Sequence, residues 1–96
     1  MGEDREPRLD WDEANIRHLA RHQISPLEFE EALTRDSIII DVRDEGGEDR
    51  WYVLGATSSL RVLFLVFTFR GERVRPVTGW RADKKLQELY FRMKGA

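Results

Sequence analysis

Eight basic side chains crowd the second half of the 96-residue chain: Arg50, Arg61, Arg70, Arg73, Arg75, Arg81, Lys84 and Lys85. Guanidinium and ammonium groups carry fixed positive charge and several donors, which is the chemistry that holds a phosphate and stabilises charge developing on it. Trp51, Tyr52 and Trp80 lie among them. Aromatic rings beside cations grip single-stranded nucleic acid, because every base has a face that stacks. In a small domain the same rings serve equally well as core or edge cover. His18 and His22 stand four residues apart, a spacing that turns both to one side of a helix. Two such histidines are half a metal site, and no third ligand is spaced to complete it. Surface or cap roles suit them better, and a place near a helix C-terminus favours protonated His22. There is no glycine-rich phosphate loop, no GxSxG and no cysteine nucleophile. Ser58 and Ser59 read as turn formers, and Glu30 and Glu31 as a solvated helix face.

The charge is segregated. Residues 1–50 hold 7 Lys and Arg against 15 Asp and Glu, a net of −8, and residues 51–96 hold 9 against 3, a net of +6. The whole chain is therefore only −2, yet a partner feels the local field. Three outcomes fit: acidic helices that neutralise basic strands, a basic face for a polyanion, or a basic face matched to an acidic protein. With no cysteine, disulfides and thiolate metal sites are excluded and a reducing cytoplasm fits. No apolar run reaches 18 residues, so no membrane span is expected. The charged opening, MGEDREPRLD, lacks the apolar stretch of a secretory signal.

The elements that must position these residues follow from periodicity. Residues 1–8 read as a flexible arm and 9–96 as a single domain. Leu9, Asp10 and Trp11 suit a short edge strand. Asp12 then caps a helix over 12–22, with Ile16, Leu19 and Ala20 on one side. Ser25, Pro26 and Glu28 mark a second helix start, a Ser cap with Pro at the first helical position and Glu three residues after the cap. That helix runs to about 33 with Leu27, Phe29, Ala32 and Leu33 inward, and the short link implies a helical hairpin. Four strands follow, over 37–43, 50–57, 61–69 and 74–80, joined by turns at 44–49, 58–59 and 70–73. The third is apolar on both faces and should be central. Pro76 cannot donate to a ladder, so its strand should be an edge or be bulged there. A last helix over 81–94 carries Leu86, Leu89, Tyr90 and Met93, with Arg81, Lys84 and Lys85 in its first turn. The fold class is α+β: a helical hairpin, a four-stranded antiparallel meander and a C-terminal helix.

Several stretches together resemble the BrnT-type toxin family: WDEANIRHLARHQISPLEFEEAL, RWYVLGAT, RVLFLVFTFRGERVRPVT and RADKKLQELY, spanning about 9–92. The resemblance rests on their order and spacing. It implies a RelE-like fold and metal-independent RNA cleavage that inhibits translation, with neutralisation by a DNA-binding antitoxin. It implies no cofactor. As catalytic candidates it points to Arg61 and Arg81 on the phosphate with His22 or Tyr90 moving protons. Arg50, Arg70, Arg73, Arg75, Trp80, Lys84 and Lys85 then become candidates for holding RNA. The chain departs from the family pattern at Trp80, where an Arg is usual, at Leu86, where Glu is common, and at Pro76, in place of a β-branched residue. A non-catalytic binding module and a self-associating domain therefore remain as alternatives, with a homodimer open.

Overall fold

Helix starts in this chain are written by short polar residues. The structure, a computed structural model, describes residues 8–95. Ser25 Oγ accepts from the Glu28 amide while Glu28 reaches back to the Ser25 amide, with Pro26 at the first helical position. This reciprocal cap satisfies donors that would otherwise be orphaned. Asp12 and Asn15 make the same arrangement one helix earlier. The elements are β1 (Arg8–Leu9), α1 (Glu13–Ala20), α2 (Pro26–Asp36), β2 (Ile38–Glu45), β3 (Glu48–Ala56), β4 (Val62–Arg70), β5 (Arg73–Arg81) and α3 (Lys84–Met93).

The expected four-stranded antiparallel meander forms, and the short N-terminal edge strand expected at Leu9 to Trp11 joins it at Arg8–Leu9, in parallel. Five strands lie in the order β1-β5-β4-β3-β2, and β1 runs parallel to β5 while the other pairings are antiparallel. β4 is central, as its doubly apolar sequence requires. Gly46 and Gly47, both at positive φ, make the two-residue turn between β2 and β3. The expected arm over 1–8 falls outside the described residues except for Arg8, which is in β1.

Pro76 sits at an interruption of both predicted kinds. The register between β4 and β5 shifts so that Val66 pairs with Thr78 and Phe67 with Pro76, leaving Val77 over as a bulge. β1 pairs with β5 only at Arg73 and Val74, and the Asp10 amide donates to the Val74 carbonyl just beyond. The Pro76 carbonyl points to that same outer side and accepts from Asn15 Nδ2 at 3.3 Å. The missing proline amide therefore costs no ladder bond.

The helices do not form the expected hairpin against each other. α1 packs on β5 and α2 on β3 and β4, both covering one face with Leu19, Ile24, Phe29, Ala32, Val53, Leu63, Leu65 and Phe67. α2 can approach so closely because Gly55 has no Cβ; one placed there would lie 1.9 Å from the Ala32 carbonyl oxygen. Phe29 and Ala32 are its buried residues, whereas Leu27 is 66% exposed. In α1 Leu19 alone of the expected three is buried. α3 covers part of the opposite face with Tyr90, Leu86 and Leu89 against Leu54 and Val62. It starts three residues later than periodicity suggests. The Ala82 amide still donates to the Val62 carbonyl, and Asp83 caps the helix by accepting from the Leu86 amide. Arg81 accordingly ends β5 instead of opening the helix.

Candidate active site

Side chains of a strand alternate between the faces of its sheet, so the register assigns each candidate to a face. On β4 and β5 the cross-strand partners are Arg70 with Arg73, Thr68 with Arg75, Val66 with Thr78 and Phe64 with Trp80. All lie on the face away from α1 and α2, as do Arg50 and Tyr52 of β3. This face is cationic at one end and aromatic at the other. Trp80 stacks on Phe64 with centroids 4.9 Å apart and planes 15° from parallel, and Tyr52 tilts against Phe64 at 6.0 Å.

α1 lends two imidazoles to the margin of this face. Asn15 docks the helix, its Nδ2 donating to the carbonyls of Asp10 and Pro76. That docking brings His18 Nε2 to 2.9 Å from Thr78 Oγ1, in a shared hydrogen bond whose donor depends on the imidazole tautomer. The His22 ring lies 5.4 Å from His18 and 6.3 Å from Trp80. Beneath His18, a recess of about 360 Å³ is lined by Asn15, His18, Arg50, Thr68, Arg75 and Pro76, among others.

The recess is electrostatically poised. Arg75 Nη1 donates to Asp12 at 2.9 Å. The Asn15 amide, followed by the Arg75 guanidinium, holds the Asp12 carboxyl below its usual range. Arg50 Nε is buried without a hydrogen-bond partner among the described residues; carboxylate oxygens of Glu48 and Glu45 come only to 3.8 and 3.9 Å of its guanidinium. A buried donor left unmade is costly. Tyr52 donates to Glu45 at 2.7 Å, and this bond, with burial, raises the phenol above its ordinary value.

A scan of known protein families matches residues 11–85 to the family described as "Ribonuclease toxin, BrnT, of type II toxin-antitoxin system". The chain belongs to the BrnT family. No curated protein matches it.

Within this BrnT chain the expected site residues divide into groups. Arg50, Arg75, Trp80 and His22 come together around the open face. Arg70 and Arg73 share that face at its far end, 3.8 and 4.0 Å from Asp10. Arg61 lies elsewhere: its Nη1 donates to Glu28 Oε2 and to the Gln23 carbonyl, both at 2.9 Å, tying the loop before β4 to the α2 start. The Tyr90 hydroxyl is buried and donates to the Asp36 carbonyl at 2.8 Å. Arg81 pairs with Leu63, which puts it on the opposite face from Trp80. Arg81, Lys84 and Lys85 are exposed and have no acidic partner among the described residues. Sequence reasoning missed His18 as more than a helix-surface group, and missed Thr78 entirely. The signal available was the i, i+4 histidine pair; Thr78 lies 60 residues away. The acidic N-terminal half does neutralise much of the basic half, through the pairs of Asp10, Asp12 and Glu28.

Proposed function

We propose that this BrnT chain is a metal-independent endoribonuclease whose cleavage of RNA inhibits translation, and that a DNA-binding antitoxin protein neutralises it. The observation that carries this reading is the recess in which Arg50 Nε lacks a partner beside Arg75, His18 and Thr78. A phosphate entering it would meet the Arg50 and Arg75 guanidinium groups, in competition with Glu48, which lines the recess, and with Asp12, which holds Arg75. RNA supplies its own nucleophile. The 2′-oxygen attacks the adjacent phosphorus, the bond from phosphorus to the 5′-oxygen breaks, and a 2′,3′-cyclic phosphate and a 5′-hydroxyl result. One proton leaves the 2′-hydroxyl for a base and one reaches the departing 5′-oxygen from an acid. His18, with His22 beside it, is the group in reach of the recess for such transfers. Arg50 and Arg75 would stabilise the charge gathered on the phosphorane. Trp80, on its Phe64 platform, offers a neighbouring base a face to stack on, while Arg70 and Arg73 at the far end of β4 and β5, and Lys84 and Lys85 at the start of α3, add positive charge for the RNA backbone. Acting on translated RNA, the proposed nuclease would work in the cytoplasm.

One feature favours a second reading. Arg61 and Tyr90 are engaged in holding the fold together, which suits a relative that keeps the fold and partner surface without cleaving. One experiment separates the two. Induced expression should arrest growth and fragment RNA, and co-expression of a cognate antitoxin should relieve both. The purified chain should cut a synthetic RNA in the presence of EDTA and leave a cyclic phosphate, but not cut a 2′-deoxy substitute at the same position. Intact RNA in both settings leaves the non-catalytic module as the answer.

A further inference from the structure

The end of the sheet farthest from β1 has its own character. β2 is eight residues long and, among the described residues, has a ladder partner on one side only. Its apolar side chains on the helix side are not covered: Ile39 is 58% and Val42 42% exposed. Val42 pairs with Trp51, whose ring meets Phe69 edge-on at 5.7 Å, and Phe69 is itself 46% exposed. An apolar strip thus runs from β4 across β3 to the open edge. Proteins ordinarily blunt such an edge, because unpaired strand backbone templates further pairing.

The charges on β2 say what the edge accepts. Asp41 and Arg43 lie on the other face of the strand, bonded to each other at 2.8 Å and both well exposed. When a second β2 is laid antiparallel with Val42 opposite Val42, Asp41 of each chain falls opposite Arg43 of the other. Four charges then alternate in sign around the two-fold axis, with the valines and the flanking tryptophans packed on the opposite face. Centring on Asp41 or on Arg43 sets like charges against each other, and so does an in-register parallel pairing. Directly opposed unlike charges stabilise a cross-strand pair, and like charges destabilise it. The order Asp-Val-Arg is therefore self-complementary in one register, the condition for an isologous two-fold interface.

We propose that two copies of this chain associate through their β2 edges, antiparallel and centred on Val42, to form a continuous ten-stranded sheet. The part of the open face at β5 that carries Arg75 and meets His18 stays free of the contact, since β2 lies across β3 and β4 from β5, while Arg50 is the cross-strand neighbour of Arg43. The pairing does not depend on the RNA chemistry, so it stands or falls separately from it.

Sedimentation of the full-length chain over a concentration series tests this, with circular dichroism to verify folding of every variant. Wild type should sediment as a dimer. Asp41→Arg alone, or Arg43→Asp alone, sets like charges opposite each other at two places and should weaken association at least tenfold. The double swap, Asp41→Arg with Arg43→Asp, recreates opposite pairs and should restore the dimer. A wild type that is monomeric throughout overturns the proposal. So does a dimer indifferent to the single changes, or a folded double swap that associates no better than the single variants.

Discussion

The two faces of one sheet have been put to different uses, and β4 and β5 show it residue by residue. Toward α1 and α2, β4 offers Leu63, Leu65 and Phe67, and β5 offers Val74, Pro76 and Gly79, all buried. A Cβ at Gly79 would come to 3.0 Å from Leu65 and 3.4 Å from Ile24, so even the smallest residue there is a packing choice. Toward the other face the same strands offer Thr68, Arg75, Thr78 and Trp80, with Arg50 and Tyr52 beside them. At these residues the first face is closed, and its uncovered apolar side chains are Phe69, Val42 and Ile39 toward the β2 side. The other leaves a guanidinium donor without a partner and a tryptophan ring 40% exposed. Unsatisfied and exposed groups that stability would remove are the places where a protein keeps chemistry.

That contrast breaks most directly at Phe29. It is fully buried between α2 and the sheet and meets Trp11 edge-on at 5.6 Å. Phe29→Ala should cost about 4 kcal/mol, the transfer loss plus the cavity left behind, read as a large fall in melting temperature with activity lost through unfolding. The open face should behave in the opposite way. Arg50→Ala and His18→Ala should each lower RNA cleavage about a hundredfold while the melting temperature stays near wild type, because Arg50 brings an unsatisfied donor to the fold. If these changes unfold the chain and leave cleavage per folded molecule intact, the open face is packing and the distinction between the faces fails.

How far the sequence exposed this division depends on distance along the chain. Ser25, Pro26 and Glu28 specify a helix start among neighbours, and Gly46 with Gly47 specifies a hairpin, so both were legible. The central position of β4 was legible too, since a strand apolar on both faces has only one comfortable place. A short edge strand near Leu9 was legible as well, but its parallel direction was not, because two residues carry no periodicity and their partner lies in β5. Arg81 was misplaced because the apolar spacing of α3 extends smoothly backward past Asp83, while the ladder bond from Ala82 to Val62 that ends the strand is long-range. The site suffered more. Basic residues can be counted in the sequence, but which of them are held by acids is decided by topology: Arg61 meets Glu28 across 33 positions and Arg75 meets Asp12 across 63. His18 gains its meaning only from Thr78.

Smaller effects sharpen the same line where resemblance and geometry diverge. Tyr90→Phe removes the donor to the Asp36 carbonyl and should cost about 1–2 kcal/mol, with cleavage per folded molecule unchanged. Loss of cleavage at full stability would instead put the phenol in the reaction.

The least effect is expected from acid. Burial by itself would raise the Glu28 carboxyl, but the Ser25 amide and the Arg61 guanidinium outweigh it and leave the group below its ordinary 4.5. A carboxyl whose folded value is depressed binds its proton more readily in the unfolded chain. Its contribution is therefore complete above about pH 4.5 and disappears as pH falls through the lower folded value. Wild-type melting temperature should decline over that acidic window. Arg61→Ala should start slightly lower at neutral pH, since a partly exposed pair contributes about 1 kcal/mol or less, and should then decline less steeply. Parallel declines would mean that Arg61 does not hold Glu28 in solution, returning its guanidinium to the pool of charges available to RNA.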